Sequence, residues 1–426
     1  MKILKKKRMS EKVDTQKIRQ QLQQIIFKQA VNQTSNPFSK AVFNNLANCH
    51  TANLGVHHYR CYEADCFHES WQYHSCGNRH CPNCGGSKRE QWLEDKTSEL
   101  LPTSYFHMVF TLPHELNSLI MGNRKVLFKL LFEASSQTIL TLAKDPKWLG
   151  ATPGIISILH TWGQDLSFHP HVHCIVSGGG IDKDNNWVKE KRENQRFMFP
   201  ESSIRKIYKR IFMDGLRALF KADGLKVEDE EELGKIITQI GYKKWNVDAR
   251  SGFGGPKQVL EYLGRYTHKV AITAHRILEI NEIEGTITFK YKDYHAKGTV
   301  EMYKIMTLPI DEFIRRFEQH ILPKQFVKIR HYGYLKNHNR TARLRDIFAK
   351  MQLPPPPPKV QIPVRQRILE QYGKDISLCP ACQKGRLELV ATYRTRTERS
   401  RSKGKLVEVF DNSAKLEVGG KVLTPP

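Results

Sequence analysis

Phe168-His169-Pro170-His171-Val172-His173-Cys174-Ile175-Val176 is the stretch of this chain that decides its fold. Successive side chains of a β-strand point to opposite faces, so residues two apart share a face. His169, His171 and His173 are therefore predicted to present their imidazoles on one side of a strand, which ends at the Ser-Gly-Gly-Gly of residues 177–180. Imidazoles about 6.6 Å apart along a strand can converge on one divalent cation.

The charge balance of the chain indicates a polyanionic partner. The 426 residues carry 68 Lys and Arg against 43 Asp and Glu, a formal net charge of +25. Such a surplus favours nucleic acid, because cationic side chains that contact phosphates release counterions. A solvated basic surface, or attraction to anionic lipid, is the alternative interpretation of the charge. A chain of this length is expected to form two or three domains.

Targeting signals do not stand out in the sequence. The basic N-terminus lacks a following apolar run of signal-peptide length, and no stretch approaches the roughly 20 apolar residues of a membrane helix. We therefore expect a soluble intracellular protein. In that compartment, the nine cysteines are expected to be metal ligands rather than disulfides.

Residues 49–84 are rich in cysteine and histidine. Zinc binds four such ligands in a tetrahedron, and a CxxC pair supplies two of them from one turn. The candidate zinc ligands are Cys49, Cys61, Cys66, Cys76, Cys81 and Cys84. One zinc with spare thiols, two zincs with histidine ligands, or a cluster of reduced buried thiols all fit this spacing. Arg79 lies just before the CxxC pair formed by Cys81 and Cys84, and it is expected to contact DNA.

The following residues alternate between strand and helix patterns. The predicted elements are a strand at 105–112, one or two helices within 115–144, a strand at 154–160, the histidine strand, a helix at 201–221 and an acidic helix near 228–240. The short connection 164–169 makes the two middle strands antiparallel neighbours. This order predicts an α+β fold in which helices cover one face of an antiparallel sheet.

A tyrosine pair lies on the helix predicted after Gly254-Gly255-Pro256. Tyr262 and Tyr266 are four residues apart and therefore share a helical face. From the pattern alone, a core position is the ordinary interpretation of both, and catalysis is the alternative. A hairpin at 277–281 and 286–291 and a helix at 310–321 are predicted next.

Residues 327–335 mix tyrosines with Lys328 and Arg330, a combination that suits single-stranded nucleic acid. The polyproline run at 354–358 is the clearest boundary in the chain. Beyond it, Cys379 and Cys382 form a second CxxC pair that completes a zinc site with distant ligands, forms half of an intermolecular site, or has no role. We expect the remaining basic tail to be largely disordered.

These patterns predict four segments. They are a helical segment at 1–48, a cysteine-rich zinc-binding, DNA-contacting domain at 49–100, an α+β domain at 101–350, which the resemblance described next implies is the catalytic HUH domain, and a polyproline linker with a basic, partly disordered tail at 351–426.

Taken together, the motifs resemble the IS91-type insertion-sequence transposases of the HUH single-strand nuclease superfamily. The resemblance runs from about Cys49 to Leu344. Besides the cysteine-rich module, it rests on four segments: HTWGQ (160–164), FHPHVHC (168–174), YLGRYTHKVAI (262–272) and FVKIRHYGYL (326–335).

The resemblance implies a ferredoxin-like HUH domain in which His171 and His173 hold a catalytic Mg²⁺ or Mn²⁺, with Zn²⁺ in the cysteine-rich domain. We predict Gln164 as the third ligand, with His169 and Asp165 as weaker candidates. Attack by Tyr262 or Tyr266 on single-stranded DNA would leave a 5′-phosphotyrosine and a free 3′-OH, as in rolling-circle-like transposition. The nearby Arg265 and Lys269 are expected to bind DNA and neutralise its phosphate.

The implied partners are single-stranded DNA at the element termini and target, in the prokaryotic cytoplasm at the nucleoid, without a membrane. The sequence contains no GxxxxGK[ST] phosphate loop, so strand separation has to come from the host replication machinery. Oligomeric state stays open. Two other functions are weighed against transposition: a non-catalytic zinc-dependent DNA-binding regulator, and an HUH replication initiator or relaxase-like nickase.

Overall fold

The structure is a computed structural model that describes residues 14–84, 86–97, 99–190, 198–253, 255–266, 270–293, 303–356 and 362–395, together with three short strands nearer the C-terminus. Its α-helices are α1 Thr15–Gln21, α2 Lys28–Gln33, α3 Pro37–Ala47, α4 Gly86–Thr97, α5 Asn117–Gly122, α6 Arg124–Lys144, α7 Glu201–Lys221, α8 Glu230–Tyr242, α9 Pro256–Tyr266, α10 Ile310–Gln319, α11 Arg340–Lys350 and α12 Val364–Tyr372. Its strands are β1 Val56–Cys61, β2 Glu69–Tyr73, β3 Tyr105–Thr111, β4 Thr152–Trp162, β5 Phe168–Ile181, β6 Trp187–Lys189, β7 Val247–Phe253, β8 Ile277–Asn281, β9 Thr286–Lys292, β10 Tyr303–Pro309, β11 Ile329–Gly333, β12 Leu387–Thr395, β13 Glu408–Phe410, β14 Glu417–Val418 and β15 Lys421–Val422.

The histidine strand β5 lies at the centre of the largest sheet. Its main strands run in the order β11-β4-β5-β3-β7, and every pairing in it is antiparallel. The tight connection between β4 and β5 makes them neighbours, as predicted. The α+β class with an antiparallel sheet, preceded by a cysteine-rich module, is confirmed.

Helices cover both faces of this sheet, so the prediction of one covered face was wrong. On one face, apolar side chains of β3, β4 and β5 pack against α6, α7 and α8. On the other, Ile156, Ile158 and Ile175 pack against α9 and α11. The reason is that α9 and α11 are amphipathic and bring their own apolar residues, such as Val259 and Ile347, to the second face.

Helix α6 is long and apolar enough, by length and composition, to cross a membrane. Two thirds of its most apolar window is buried inside the protein, where it packs on α7 and the central sheet. Its hydropathy is accounted for by this core position.

Strand β5 continues through the three glycines that were expected to end it, and this prediction was wrong. Gly179 and Gly180 pair with β6, and Gly180 also lies opposite Pro153 of β4. A Cβ at Gly179 would overlap the indole of Trp187, and one at Gly180 would lie 2.6 Å from the backbone of Thr152. The glycines therefore permit close approach of neighbouring backbone within the sheet.

The N-terminal helices form a second core with the hairpin segment. Phe27, in the π-helical turn between α1 and α2, packs with Phe43 of α3 and Phe317 of α10, with ring centroids 5.5 to 6.2 Å apart. Ile277 and Phe289 of the β8–β9 hairpin complete this core. The predicted hairpin and the helix near 310–321 are confirmed, and residues 15–47 pack on them.

The segment after the polyproline run is folded as far as residue 395, so the expectation of a largely disordered tail was wrong there. Residues 396–407 lie outside the described part of the chain. Strand β12 pairs with β1 and so joins the cysteine-rich module, while Arg367 of α12 is buried against Glu94 of α4 at 2.8 Å. The missed signal was the apolar–polar alternation of residues 387–393.

Gly333→Ala is expected to lower the free energy of unfolding by about 2–5 kcal/mol. Gly333 has φ +63°, and an added Cβ would overlap the carbonyl of Pro153 on β4. The cost combines about 1–2 kcal/mol for a left-handed non-glycine residue with about 1–3 kcal/mol for overpacking. Gly285→Ala is the matched control, because Gly285 also has φ +63° but has no atom near the added Cβ. Urea unfolding that gave both variants the same loss would contradict the steric explanation.

Candidate active site and metal centres

Three histidines meet on the face of the central sheet that α9 covers. His171 and His173 project from β5, and His160 of β4 lies directly opposite His171 in the strand register. One ring nitrogen from each of the three lies within 4.8 Å of the others. Nδ1 of His171 lies 2.7 Å from the carbonyl oxygen of His169, a donation that places the ring's lone pair on Nε2. The donor set fits a divalent cation.

His160 and His107 are candidate site residues that sequence reasoning missed. Gln164, the predicted third ligand, lies in the turn between β4 and β5. Its backbone carbonyl oxygen accepts a hydrogen bond from the guanidinium of Arg276. In the same turn the carboxylate of Asp165 accepts from Ser167 at 2.7 Å. The signal for His160 was the tight hairpin itself, because pairing β4 with β5 brings residue 160 opposite residue 171.

Tyr262 of α9 points its hydroxyl into the histidine cluster. Its Oη lies 2.7 Å from Nε2 of His107 and 2.9 Å from Nδ1 of His173, and these two nitrogens lie 3.0 Å apart. His107 comes from β3, on the other side of β5. The tyrosine is 9% exposed, and its ring packs on Phe253 with centroids 5.1 Å apart. This geometry fixes the phenol beside the candidate metal ligands.

Tyr266 is the last residue of α9, one turn after Tyr262. The structure describes its backbone but not its side chain, and the same holds for Arg265. Lys269 lies outside the described residues. The roles predicted for these three residues stay predictions.

Burial keeps His107 and His173 neutral. Desolvation, and secondarily the charge of Arg250, lower the pKa of His107 to about 4. Desolvation also holds the pKa of His173 well below its usual range, with a further contribution from His160. Neutral imidazoles have the lone pairs that metal binding and hydrogen-bond acceptance require.

Four of the six predicted zinc ligands form one cluster: Cys49, Cys76, Cys81 and Cys84. The Sγ atoms of Cys76 and Cys84 are 3.6 Å apart, close to the roughly 3.8 Å expected for two thiolates about 2.3 Å from a tetrahedral zinc. Hydrogen bonds from the thiols of Cys76, Cys81 and Cys84 hold the pKa of Cys49 below its usual range. The cluster fits zinc, whereas Cys61 and Cys66 lie in a different group.

Three of the five cations predicted to bind DNA have described side chains, and these three have contacts inside the protein. Arg79 donates to the carbonyl of Phe326 at 2.6 Å. Lys328 lies over the ring of Trp162, and burial together with the charge of Arg79 lowers its pKa to about 7. The guanidinium of Arg330 packs on Phe132, 4.4 Å from the ring centroid. DNA contact by these three side chains stays a prediction.

Known transposases match most of this chain in sequence. Residues 17–112 match a family model described as "Transposase zinc-binding domain", and residues 154–343 match one described as "Putative transposase". The chain is 38% identical over 358 residues to "Putative transposase y4qJ" of Sinorhizobium fredii (strain NBRC 101917 / NGR234), which covers 81% of this chain and 87% of that protein.

Two further proteins are more distantly similar to this chain. The "Transposase for insertion sequence element IS801" of Pseudomonas savastanoi pv. phaseolicola is 29% identical over 320 residues, covering 73% of this chain and 74% of that protein. A solved structure of the conjugative relaxase TrwC in complex with oriT DNA, in a metal-bound form, overlaps 39% of this chain and 71% of its own, with 13% identity and a TM-score of 0.21. At that score the overlap adds nothing to the fold described above.

Proposed function

This chain belongs to the IS91-type transposases, as its motifs predicted, and we propose that it cuts and rejoins single-stranded DNA through 5′-phosphotyrosine intermediates. The observation that carries the proposal is the hydroxyl of Tyr262, within hydrogen-bond distance of His107 and His173 and beside a cluster of three histidines. A non-catalytic regulator has no use for a phenol beside such a cluster.

We propose His160, His171 and His173 as ligands of the catalytic cation, with His160 in the position first given to Gln164. A divalent cation bound there would polarise the scissile phosphate and withdraw charge from its oxygens. With Mg²⁺ or Mn²⁺ at this site, three imidazole ligands would leave coordination positions for phosphate oxygens.

The hydrogen bonds around Tyr262 support its role as the first nucleophile. If Nε2 of His173 binds the cation, the ring hydrogen is on Nδ1. Nδ1 then donates to the phenol oxygen of Tyr262, 2.9 Å away. The phenol in turn donates to Nε2 of His107 at 2.7 Å. In this arrangement the proton of the Tyr262 hydroxyl points at Nε2 of His107, which would accept it as the oxygen attacks the phosphate.

Attack by Tyr262 would form the bond from Oη to phosphorus and break the bond from phosphorus to the 3′ oxygen. The phenol proton would pass to His107, and the departing 3′ oxygen would take a proton from water to become the free 3′-OH. The phosphotyrosine stores the bond, so rejoining requires no ATP. Tyr266, one helical turn away, is proposed to make the second cut while the first DNA end stays attached. The net charge of +25 supports binding of the strand along the protein.

The direct test uses the purified full chain with single-stranded DNA from the termini of its own element, labelled at either end, with and without Mn²⁺. The 3′-labelled fragment is expected to migrate with the protein on a denaturing gel only when metal is present. The 5′-labelled fragment is expected to be released with an end that a polymerase extends. Tight binding without any adduct would instead favour the DNA-binding regulator.

His107→Ala is expected to slow adduct formation by about 10²-fold with little change in DNA affinity, because the phenol loses the acceptor that orients it. His107→Gln is the matched variant, since its amide oxygen can accept the same hydrogen bond, and it is expected to recover most of the lost rate. Single-turnover kinetics measure both. Equal losses in the two variants would contradict a positioning role for His107.

A further inference from the structure

A second cluster of four cysteines brings together two segments that are far apart in the chain. Cys61 and Cys66 come from the β1–β2 module, whereas Cys379 and Cys382 lie beyond the polyproline run. The four Sγ atoms lie within 4.8 Å of one another. We propose that these four thiolates bind a second, structural zinc ion, which ties the C-terminal segment to the N-terminal module.

The distances between the sulfurs match zinc and exclude disulfides. The Sγ atoms are 3.9 Å apart between Cys61 and Cys382, and 3.7 Å apart between Cys66 and Cys379. Thiolates about 2.3 Å from a tetrahedral zinc lie about 3.8 Å from one another. A disulfide requires about 2.05 Å, so neither pair is bonded. The same spacing occurs in the first cysteine cluster, at 3.6 Å between Cys76 and Cys84.

The backbone around the second CxxC pair is shaped for a metal. Gly385 donates its N–H to Sγ of Cys382 at 3.3 Å, the kind of contact that orients a thiolate ligand. Its carbonyl accepts from the backbone N–H of Cys379 at 2.8 Å, which closes the turn. A Cβ on Gly385 would lie 2.5 Å from Sγ of Cys61 and 2.6 Å from Cβ of Glu63. Glycine is therefore the residue that lets the two halves of the site approach.

Contacts outside the cluster dock the same segment independently. Strand β12 pairs with β1 from Tyr393 opposite Val56 to Leu387 opposite Cys61. The buried guanidinium of Arg367 bonds both carboxylate oxygens of Glu94, at 2.8 and 3.0 Å. These contacts set the register that brings Cys379 and Cys382 to Cys61 and Cys66, which are more than 300 positions away in the chain.

This site lies partly outside the segments that match known families. Cys379 and Cys382 follow both matched ranges, 17–112 and 154–343. The zinc-binding domain of this chain is therefore completed by its C-terminal segment. A zinc link between positions so far apart also restricts the unfolded chain, and so is expected to stabilise the folded one.

The zinc content of the purified full chain, measured by elemental mass spectrometry, tests the proposal. Two zinc ions per chain are expected for the wild type, and one each for Cys379→Ser/Cys382→Ser and for Cys61→Ser/Cys66→Ser. Cys174→Ser is the control, because Cys174 is buried beside Ser157 in the central sheet and away from both clusters; it is expected to retain two. One zinc in the wild type, or two in either double variant, would overturn the proposal.

Thiol labelling of the wild type covers the case in which a double variant fails to fold. In zinc-loaded protein, Cys382 and Cys66 are expected to resist N-ethylmaleimide although both are partly exposed, and a chelator is expected to release them together with Cys61 and Cys379. Peptide mass spectrometry reads each thiol. Labelling of Cys382 in the presence of zinc, or a disulfide-linked peptide pair among the four, would refute the site.

Discussion

Tyr262→Phe is expected to abolish covalent attachment of DNA to the protein, with a rate loss of at least about 10³-fold. The phenylalanine keeps the aromatic ring that packs on Phe253 but removes the hydroxyl oxygen between His107 and His173, which is the proposed nucleophile. Single-stranded DNA affinity is expected to stay within a few-fold of the wild type, because the buried hydroxyl contributes little exposed surface. The measurement is adduct yield on a denaturing gel beside a binding titration.

Tyr266→Phe is the matched control for this prediction. If Tyr262 makes the first cut, Tyr266→Phe still forms the first adduct and loses only the later strand transfer. The opposite result, with normal first adducts in Tyr262→Phe and none in Tyr266→Phe, would reverse the proposed order of the two tyrosines.

His160→Ala is expected to weaken binding of the catalytic cation by 10- to 100-fold or more, whereas Gln164→Ala is expected to leave it nearly unchanged. Loss of an orienting partner of a metal ligand already costs about 10- to 100-fold, and loss of a ligand costs at least as much. His160 lies opposite His171 in the sheet, and Gln164 lies in the turn beyond it. The two variants therefore separate the ligand set derived from the structure from the one predicted from sequence.

Titration with Mn²⁺, followed by paramagnetic resonance, measures this binding without any need for activity. The zinc clusters are kept loaded, so that Mn²⁺ has only the histidine site to occupy. Raising Mn²⁺ is expected to restore part of the cleavage by His160→Ala. A Gln164→Ala variant that lost Mn²⁺ while His160→Ala retained it would return the third position to Gln164.

The histidine strand and the tyrosine helix were predictable from sequence because each pattern depends only on residues that are close together in the chain. Alternation along β5 places His171 and His173 on one face, and the i, i+4 spacing does the same for the two tyrosines. Their meeting was not predictable from spacing. Tyr262 reaches the cluster because α9 packs on the second face of the sheet, and His107 joins it from β3, more than 60 residues before β5.

The partition of the cysteines shows the same limit. Six thiols close together in sequence suggested a single module, but Cys61 and Cys66 cluster with Cys379 and Cys382 of the C-terminal segment and not with the other four. The sequence left open whether Cys379 and Cys382 complete a zinc site with distant ligands. The pairing of β12 with β1 identifies Cys61 and Cys66 as their neighbours, because strand pairing between distant segments is set by tertiary packing. Similarly, the three glycines of β5 were interpreted as a strand end, since their contacts with Trp187 and Thr152 are not local.

The most direct test of the central claim is to map the amino acid that carries the DNA. Wild-type adducts, formed with Mn²⁺ and short single-stranded DNA, are digested with nuclease and protease, and the modified peptide is sequenced by mass spectrometry. We predict a nucleotide joined through a 5′ phosphate to Tyr262 in the first adduct. Attachment at a residue outside the two tyrosines of α9, or a 3′-phosphate linkage, would contradict this account of the active site.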